Sequence, residues 1–345
     1  MIKISKELNF SYNERPKIIA EISANHNGSL PLLKKHIISA KKNGADLVKI
    51  QSYEAEDITF KNVKKYFTLN DGIWKNHDLW NLYKKACTPF KWHKEIFNIA
   101  KNEGITLFSS PFSIRAVDLL ENLNVELYKI ASVEITDFKL IDRIAQTRKP
   151  IIMSTGLSSY QEIKSAIKKI NKYHDKIILL HCVSGYPTKI EDANIERISS
   201  LKKEFKKYLI GLSDHTNNII SSFSASAKGV VAIEKHFKLP KINSVDSAFS
   251  INERELKDLR NISEKIFLSL KPKKLKNLNE QQTKFFRRSI YISKDIKKNE
   301  RITNKNINTL RPKIGICASK YFKIIGMKVN KSIKKDTPLK QCDIY

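Results

Sequence analysis

Cysteine is scarce. The four present in 345 residues, Cys87, Cys182, Cys317 and Cys342, are far apart and form no Cys-x-x-Cys pair. They are too few to staple a chain of this size, so a disulfide scaffold is excluded and reduced thiols are expected. Ten glycines and ten prolines are too few for a collagen-like or low-complexity chain. No apolar run is long enough to span a bilayer, and the first residues alternate charged and apolar positions where a secretory leader would place a long apolar stretch. No membrane partner and a cytoplasmic location are expected. Acidic residues are also short: 35 Asp plus Glu against 64 Lys plus Arg leave a formal charge of +29. Such an excess usually points to nucleic acid, anionic membranes or acidic substrates. Here the lysines occur on almost every segment with no basic tail, and zinc-finger spacing, an aromatic RNA-binding signature and an Arg-rich arm are all missing. Dispersed solvated lysine accounts for the charge, with no specific nucleic-acid partner. A nucleic-acid-binding barrel stays as the non-enzymatic alternative, and it predicts steeply salt-dependent affinity.

With 41% apolar residues the chain can bury a sizeable core, and its length is twice the roughly 150-residue norm for one domain. Short apolar runs, each followed by a stretch of helical period, recur at 17–23, 46–53, 105–112, 127–132, 150–156, 177–184, 209–215 and 230–237. Helices are predicted between them over 30–43, 92–103, 114–122, 160–172 and 194–205. Eight β/α units in about 270 residues define an α/β fold, a (β/α)8 TIM barrel over 1–270. The connection 54–89, with Trp74, Trp80 and Tyr83, is too long for a minimal βα loop and reads as a partly helical lid or substrate loop. After a helix near 253–270, a Lys-, Pro- and Asn-rich linker (271–284) leads into a small β-rich domain over 285–345. Its extended candidates are 289–292, 309–312, 328–329 and 338–339.

A parallel barrel gathers its chemistry at the carboxyl ends of the strands. Polar residues interrupt or end nearly every run there: Glu21, Lys49 with Gln51, Ser109 with Ser110, Lys129 with Ser132, Ser154 with Thr155, Ser184 with Tyr186, Asp214 with His215, and Glu234 with His236. His215 and His236 end neighbouring strands, about 4.8 Å apart, and two imidazoles could hold one divalent ion. Two nitrogens completed by water and substrate oxygens suit Mn²⁺, Mg²⁺ or Fe²⁺ better than a four-ligand structural zinc. Lys49 and Lys129 lie inside apolar runs, where a charge is costly unless an anion meets it. With Ser110, Ser132 and Ser154 they form either a phosphate or carboxylate pocket or the setting for an imine-forming lysine.

The motifs I-I-A-E-I-S-A-N-H-N-G at 18–28, V-K-I-Q at 48–51, F-S-S-P-F at 108–112, Y-K-I-A-S at 128–132, G-L-S-D-H at 211–215 and I-E-K-H-F at 233–237 resemble the sialic acid synthase family over essentially the whole chain. The tail, with R-R-S-I-Y at 287–291 and L-R-P at 310–312, resembles its antifreeze-like (SAF) domain. I-S-A-N-H, G-I-W at 72–74 and L-Y-K-K-A-C-T-P-F-K-W-H at 82–93 are most similar to the branch that makes pseudaminic acid. The resemblance implies condensation of phosphoenolpyruvate with an N-acetylated amino sugar, here 2,4-diacetamido-2,4,6-trideoxy-L-altrose, with carbon–oxygen cleavage. N-acetylneuraminate or legionaminate synthesis is the alternative. It also implies that Lys49, Ser110, Lys129, Ser132, Ser154 and Ser184 hold phosphoenolpyruvate, and that His215 and His236 hold a divalent metal, Mn²⁺ first with Mg²⁺ or another ion possible. Glu21 would handle protons. Gln51, Tyr186 and Asp246 would contact the sugar, and Arg311 would reach it from the tail domain of the partner in a domain-swapped homodimer. Asn299 and Asp336 stand where this tail usually has turn glycines, and both types tolerate left-handed backbone.

Overall fold

The computed structural model describes residues 1–5, 7–61, 69, 73–74, 77–272 and 283–345. Gly72 of the G-I-W motif and residues 273–282 of the predicted linker lie outside them. The chain divides into two compact units, Met1–Leu270 and Lys271–Tyr345.

In the first unit a short antiparallel pair, β1 (Ile2–Lys3) with β2 (Asn9–Phe10), precedes eight parallel strands that close into a barrel. These are β3 (Lys17–Glu21), β4 (Leu47–Ser52), β5 (Thr106–Pro111), β6 (Tyr128–Ile130), β7 (Ile151–Ser154), β8 (Ile177–Cys182), β9 (Leu209–Asp214) and β10 (Ala232–His236), with β10 closing on β3. Each falls on one of the apolar runs, and the predicted helices appear as Leu30–Lys42, His93–Asn102, Ile114–Asn122, Tyr160–Ile170 and Arg197–Glu204. Strands stop one or more residues before the runs do. At β9 the Asp214 carboxylate accepts the Thr216 N–H at 2.9 Å, turning the chain at His215. In the long connection, Ala55–Ile58 and Leu79–Ala86 are helical, the second capped by Asp78 accepting from the Asn81 N–H.

The period-two alternation of strands sorts each run into two sets. Ile18, Ala20, Val48, Ile50, Ile130, Ile151 and Met153 point outward and pack under the helices. Ile19, Leu47, Phe108, Leu127, Ile152, Leu180 and Ala232 point inward and, with Leu8 and Phe10, fill the barrel floor. Two residues further along the same strands, the inward positions become Glu21, Lys49, Ser110, Lys129, Ser154, Cys182 and Glu234. A charged and hydroxylated layer therefore lies directly on an apolar plug.

In the second unit β11 (Ser289–Ile292) pairs antiparallel with β12 (Ile307–Leu310). The predicted strand 309–312 stops at 310, short of Pro312, which has no N–H to give a ladder. Positions 328–329 and 338–339 make only single bridges, such as Tyr291 with Pro338 and Val329 with Ile344. Ile290, Ile292, Ile302, Val329 and Leu339 are buried at its centre. Asn299 and Asp336 both take left-handed backbone, with φ of 70° and 64°. Gly315 packs so closely that a Cβ there would lie 2.3 Å from the Leu339 carbonyl oxygen.

Candidate active site

The inward layer brings four charges together. Lys49 Nζ lies 2.5 Å from Glu21 Oε2 and 3.5 Å from Glu234 Oε1, and Lys129 Nζ donates to Glu234 Oε2 at 2.8 Å. All four residues are buried. Two lysines and two glutamates sum to zero, so the quartet can exist on an apolar plug that would reject an isolated charge. Its members are not equivalent. Burial disfavours ionised Glu234, but Lys129 and Lys49 outweigh that and hold its pKa down at about 2. Burial also acts on Glu21, and there it wins over Lys49, leaving the pKa raised. Glu234 is the fixed counter-ion and Glu21 the carboxyl that takes up a proton more readily. Glu234 lies two residues before His236, and that spacing puts it on the same side of the strand.

Hydroxyls surround the quartet. Ser110 Oγ accepts from Lys49 Nζ at 3.3 Å, and Ser132 Oγ accepts the Gly156 N–H at 3.1 Å. Ser154 Oγ is buried without a hydrogen-bond partner among the described residues, an arrangement that costs free energy unless a ligand completes it. Gly156 keeps the space open: a Cβ there would sit 2.6 Å from Ser184 Oγ and 2.8 Å from Ser132 Oγ. Lys49, Ser110, Lys129, Ser132, Ser154 and Ser184 therefore share one region of the mouth.

The two histidines stand beside it. The register pairs Lys235 with Asp214, so His236 and His215 follow on adjacent strands, with ring centroids 5.4 Å apart. His215 donates Nδ1–H to the Val183 carbonyl at 2.9 Å, so that its neutral form carries the lone pair on Nε2; burial opposes the charged form, but Cys182 and the Val183 carbonyl outweigh it and raise the pKa. Burial, then His215 and the lysines, push the His236 pKa well below its ordinary value, keeping it neutral, the form that binds metals. Its Nδ1 is shielded and makes no hydrogen bond among the described residues, with Asp246 Oδ2 4.0 Å away. Among the described residues no three His, Cys, Asp or Glu side chains form a metal-binding group. The pair fits an ion whose remaining ligands are water and substrate oxygens, and does not fit a structural zinc.

Above the histidines a cavity of about 280 Å³ takes Gln51, Tyr186, His236 and Asp246 into its lining. The Tyr186 ring packs 4.4 Å from that of His215 and 5.6 Å from that of Trp74, whose Nε1–H donates to the Val245 carbonyl. Trp80 is not in that lining: it stands one position away from Leu79, about 100° around the helix. Arg311 lies in the second unit, exposed, directly after β12.

Two features escaped the sequence. Glu134, in the one-turn 3-10 helix after β6, has Oε2 buried without a hydrogen-bond partner among the described residues, and burial, reinforced by Asp137, raises its pKa to about 7 against the opposing pull of Lys129 and Lys49. The motif Y-K-I-A-S ends just before it, and only its place immediately past a strand end hinted at a role. Ser23, singled out only as a motif letter, takes left-handed backbone with φ 45° and lines the cavity, and its hydroxyl bonds the Asp246 carboxylate, which also accepts the Ala24 N–H at 3.1 Å.

A closed parallel barrel with this ionic floor, histidine pair and cavity is the frame of a carbon–carbon bond-forming synthase. The chain belongs to the NeuB family, which matches residues 36–275, and residues 287–344 match the SAF domain. It is 41% identical over 335 residues to the pseudaminic acid synthase of Helicobacter pylori, spanning 95% of this chain and 98% of that protein. It is 36% identical to the N,N'-diacetyllegionaminic acid synthase of Campylobacter jejuni, over 94% of this chain and 98% of that one. Its fold matches the crystal structure of the N-acetylneuraminic acid (sialic acid) synthetase from Leptospira borgpetersenii with a TM-score of 0.72 at 30% identity, covering 82% of this chain and 94% of that one.

Proposed function

We propose that the protein is a pseudaminic acid synthase, joining phosphoenolpyruvate, 2,4-diacetamido-2,4,6-trideoxy-L-altrose and water into pseudaminic acid and phosphate with cleavage of the carbon–oxygen bond. The observation that carries this reading is the neutral buried quartet ringed by serines and set directly beside a neutral histidine and an aromatic-walled cavity. The choice of sugar is supported by the greater likeness to relatives named for pseudaminic acid, at 41%, than to those named for the legionaminic product, at 36%.

Lys49 and Lys129 bind the phosphate and carboxylate of phosphoenolpyruvate, and the Ser154 hydroxyl gains its missing partner there. One unit of the incoming negative charge is offset when Glu21 takes up a proton, which frees Lys49 Nζ to turn from Glu21 Oε2 to the substrate. Glu234 remains ionised and fixes Lys129. His215 and His236 hold a divalent ion, Mn²⁺ by preference, which when bound supplies Lewis-acid polarisation of the sugar aldehyde. Glu134 holds and releases a proton at Oε2 near neutral pH, as a group with pKa about 7 can, and accepts the proton of the attacking water. Tyr186, Gln51 and Asp246 orient the sugar. Four free cysteines fit a reducing cytoplasm as the site of the reaction.

The test is phosphate release with Mn²⁺ and after chelation, comparing the diacetamido-trideoxy-altrose, its legionaminate-pathway isomer and N-acetylmannosamine. Selective, chelator-sensitive turnover of the first is expected. Preference for another sugar would replace the substrate, full activity without metal would remove the ion, and no turnover with any sugar would sink the synthase reading. For the domain-swapped dimer, Arg311→Ala is expected to raise the sugar KM about tenfold and leave the phosphoenolpyruvate KM alone. An unchanged sugar KM, or a monomer in sedimentation, would remove the contact across subunits.

A further inference from the structure

The cavity above the histidines has two unlike ends. One carries the polar groups of Ser23, Gln51, His236 and Asp246. The rest is largely apolar, and much of it comes from one surface: Leu79, Leu82, Tyr83 and Ala86 of the helix Leu79–Ala86 all line it. Their spacing of three, four and seven is that of a single helical face. Tyr53 and Phe112 continue this surface, since the Tyr53 ring meets those of Tyr83 and Phe112 edge to face at 5.8 and 5.2 Å. Leu82 is buried, and the helix that carries it packs on Ala55–Ile58 and on the 3-10 turn Ser23–His26. Among the described residues no serine or threonine hydroxyl and no amide side chain stands on this face; its one hydroxyl is the Tyr83 phenol, at the edge about 100° around the helix from Leu82.

The proposed reaction fixes which end of an open-chain sugar goes where. The aldehyde must lie beside His236 and the lysine layer, because the new bond forms there. The chain of the sugar then runs away from the polar end, and its last carbon approaches the helix. The stretch made by Leu79, Leu82 and Ala86, away from the Tyr83 phenol, matches a methyl group at that position and leaves a hydroxyl without a hydrogen-bond partner.

We propose that Leu79, Leu82 and Ala86, the apolar part of the Leu79–Ala86 face, determine specificity by receiving the terminal deoxy carbon of the sugar and discriminating against a 6-hydroxylated one. This rests on the reading above. Because an apolar pocket rejects an added hydroxyl only moderately, the preference is on the order of a hundredfold in kcat/KM and not absolute.

The test compares kcat/KM for two acetamido sugars differing only at carbon 6, methyl against hydroxymethyl, in the wild type, Leu82→Thr and Ala86→Ser. Leu82→Thr is expected to cut the preference for the deoxy sugar about tenfold or more, with the phosphoenolpyruvate KM unchanged. Ala86→Ser, a smaller change on the same face that spares the packing of Leu82, should shift the ratio in the same direction by a few-fold. Equal losses on both sugars, or an unchanged ratio in both variants, would overturn the assignment while leaving the synthase reading intact. A wild type that turns over neither sugar would bring down the synthase reading, and the wall with it.

Discussion

The charged end of the mouth hangs on strands and the aromatic end on connections. Glu21, Lys49, Lys129 and Glu234 sit within β3, β4, β6 and β10, whose ladders fix them in register. Ser23, Trp74, Tyr186, Asp246 and the helix Leu79–Ala86 all come from segments between strands. Strand positions cannot shift by one residue without turning the side chain to the other face, so the ionic floor tolerates little change. Connections accept insertions and new side chains without disturbing the barrel. A common phosphoenolpyruvate end with a variable sugar end is the division that a family of synthases with different sugar products requires.

If that division is right, damage to the charged end should be the most severe. Lys129→Ala leaves the Glu234 carboxylate buried with the more distant Lys49 and the Ser213 hydroxyl, and a cost of about 3–5 kcal/mol in stability together with loss of turnover is expected. Urea unfolding measures the first and phosphate release the second. Lys129→Met combined with Glu234→Gln should recover most of the stability and none of the activity; recovery of activity would show that the charges are structural only.

Glu134 tests the border between the two ends. Its folded pKa, raised from 4.5 to about 7, means that its contribution to stability is fully present below pH 4.5 and is lost as pH rises through 7. Glu134→Gln should remove that decline and exceed the wild type at pH 8 by about 2 kcal/mol after allowance for solvent screening. It should also erase a limb near pH 7 in the kcat/KM profile. Identical pH profiles for variant and wild type would strip Glu134 of its proton-transfer role.

The smallest effect is expected at Ser23. A non-glycine residue in left-handed backbone costs roughly 1 kcal/mol, so Ser23→Gly should stabilise the fold by up to that amount. The same change removes a hydroxyl from Asp246 and should raise the sugar KM a few-fold, leaving phosphoenolpyruvate unaffected. A variant that is both less stable and unchanged in sugar use would mean that the strain has no use.

How far the sequence could be read follows the same line. The barrel was legible because eight apolar runs repeat with helical stretches between them, and Lys49 and Lys129 stood out because a lysine inside such a run needs a counter-charge. The pairing itself, with Glu234 shared between two lysines, was not legible, since it depends on which strands meet across the interior. Glu134 was missed because its burial arises from a one-turn helix that has no periodic signature. Trp80 drew attention for being aromatic, yet its neighbours Leu79, Leu82, Tyr83 and Ala86 form the wall; only the helical face, not residue type, separates them.

The quartet described above has formal charge zero before any substrate arrives, although the chain as a whole carries +29. Its field is short-ranged, so the attraction felt by an anionic substrate in solution comes from the scattered surface lysines, over a distance of about 8 Å at physiological salt. Added salt should therefore slow the rate at which phosphoenolpyruvate is captured and hardly loosen it once seated, because the lysines that grip it lie where ions do not reach. The surplus of lysine sets the speed of encounter, and the buried quartet sets the hold.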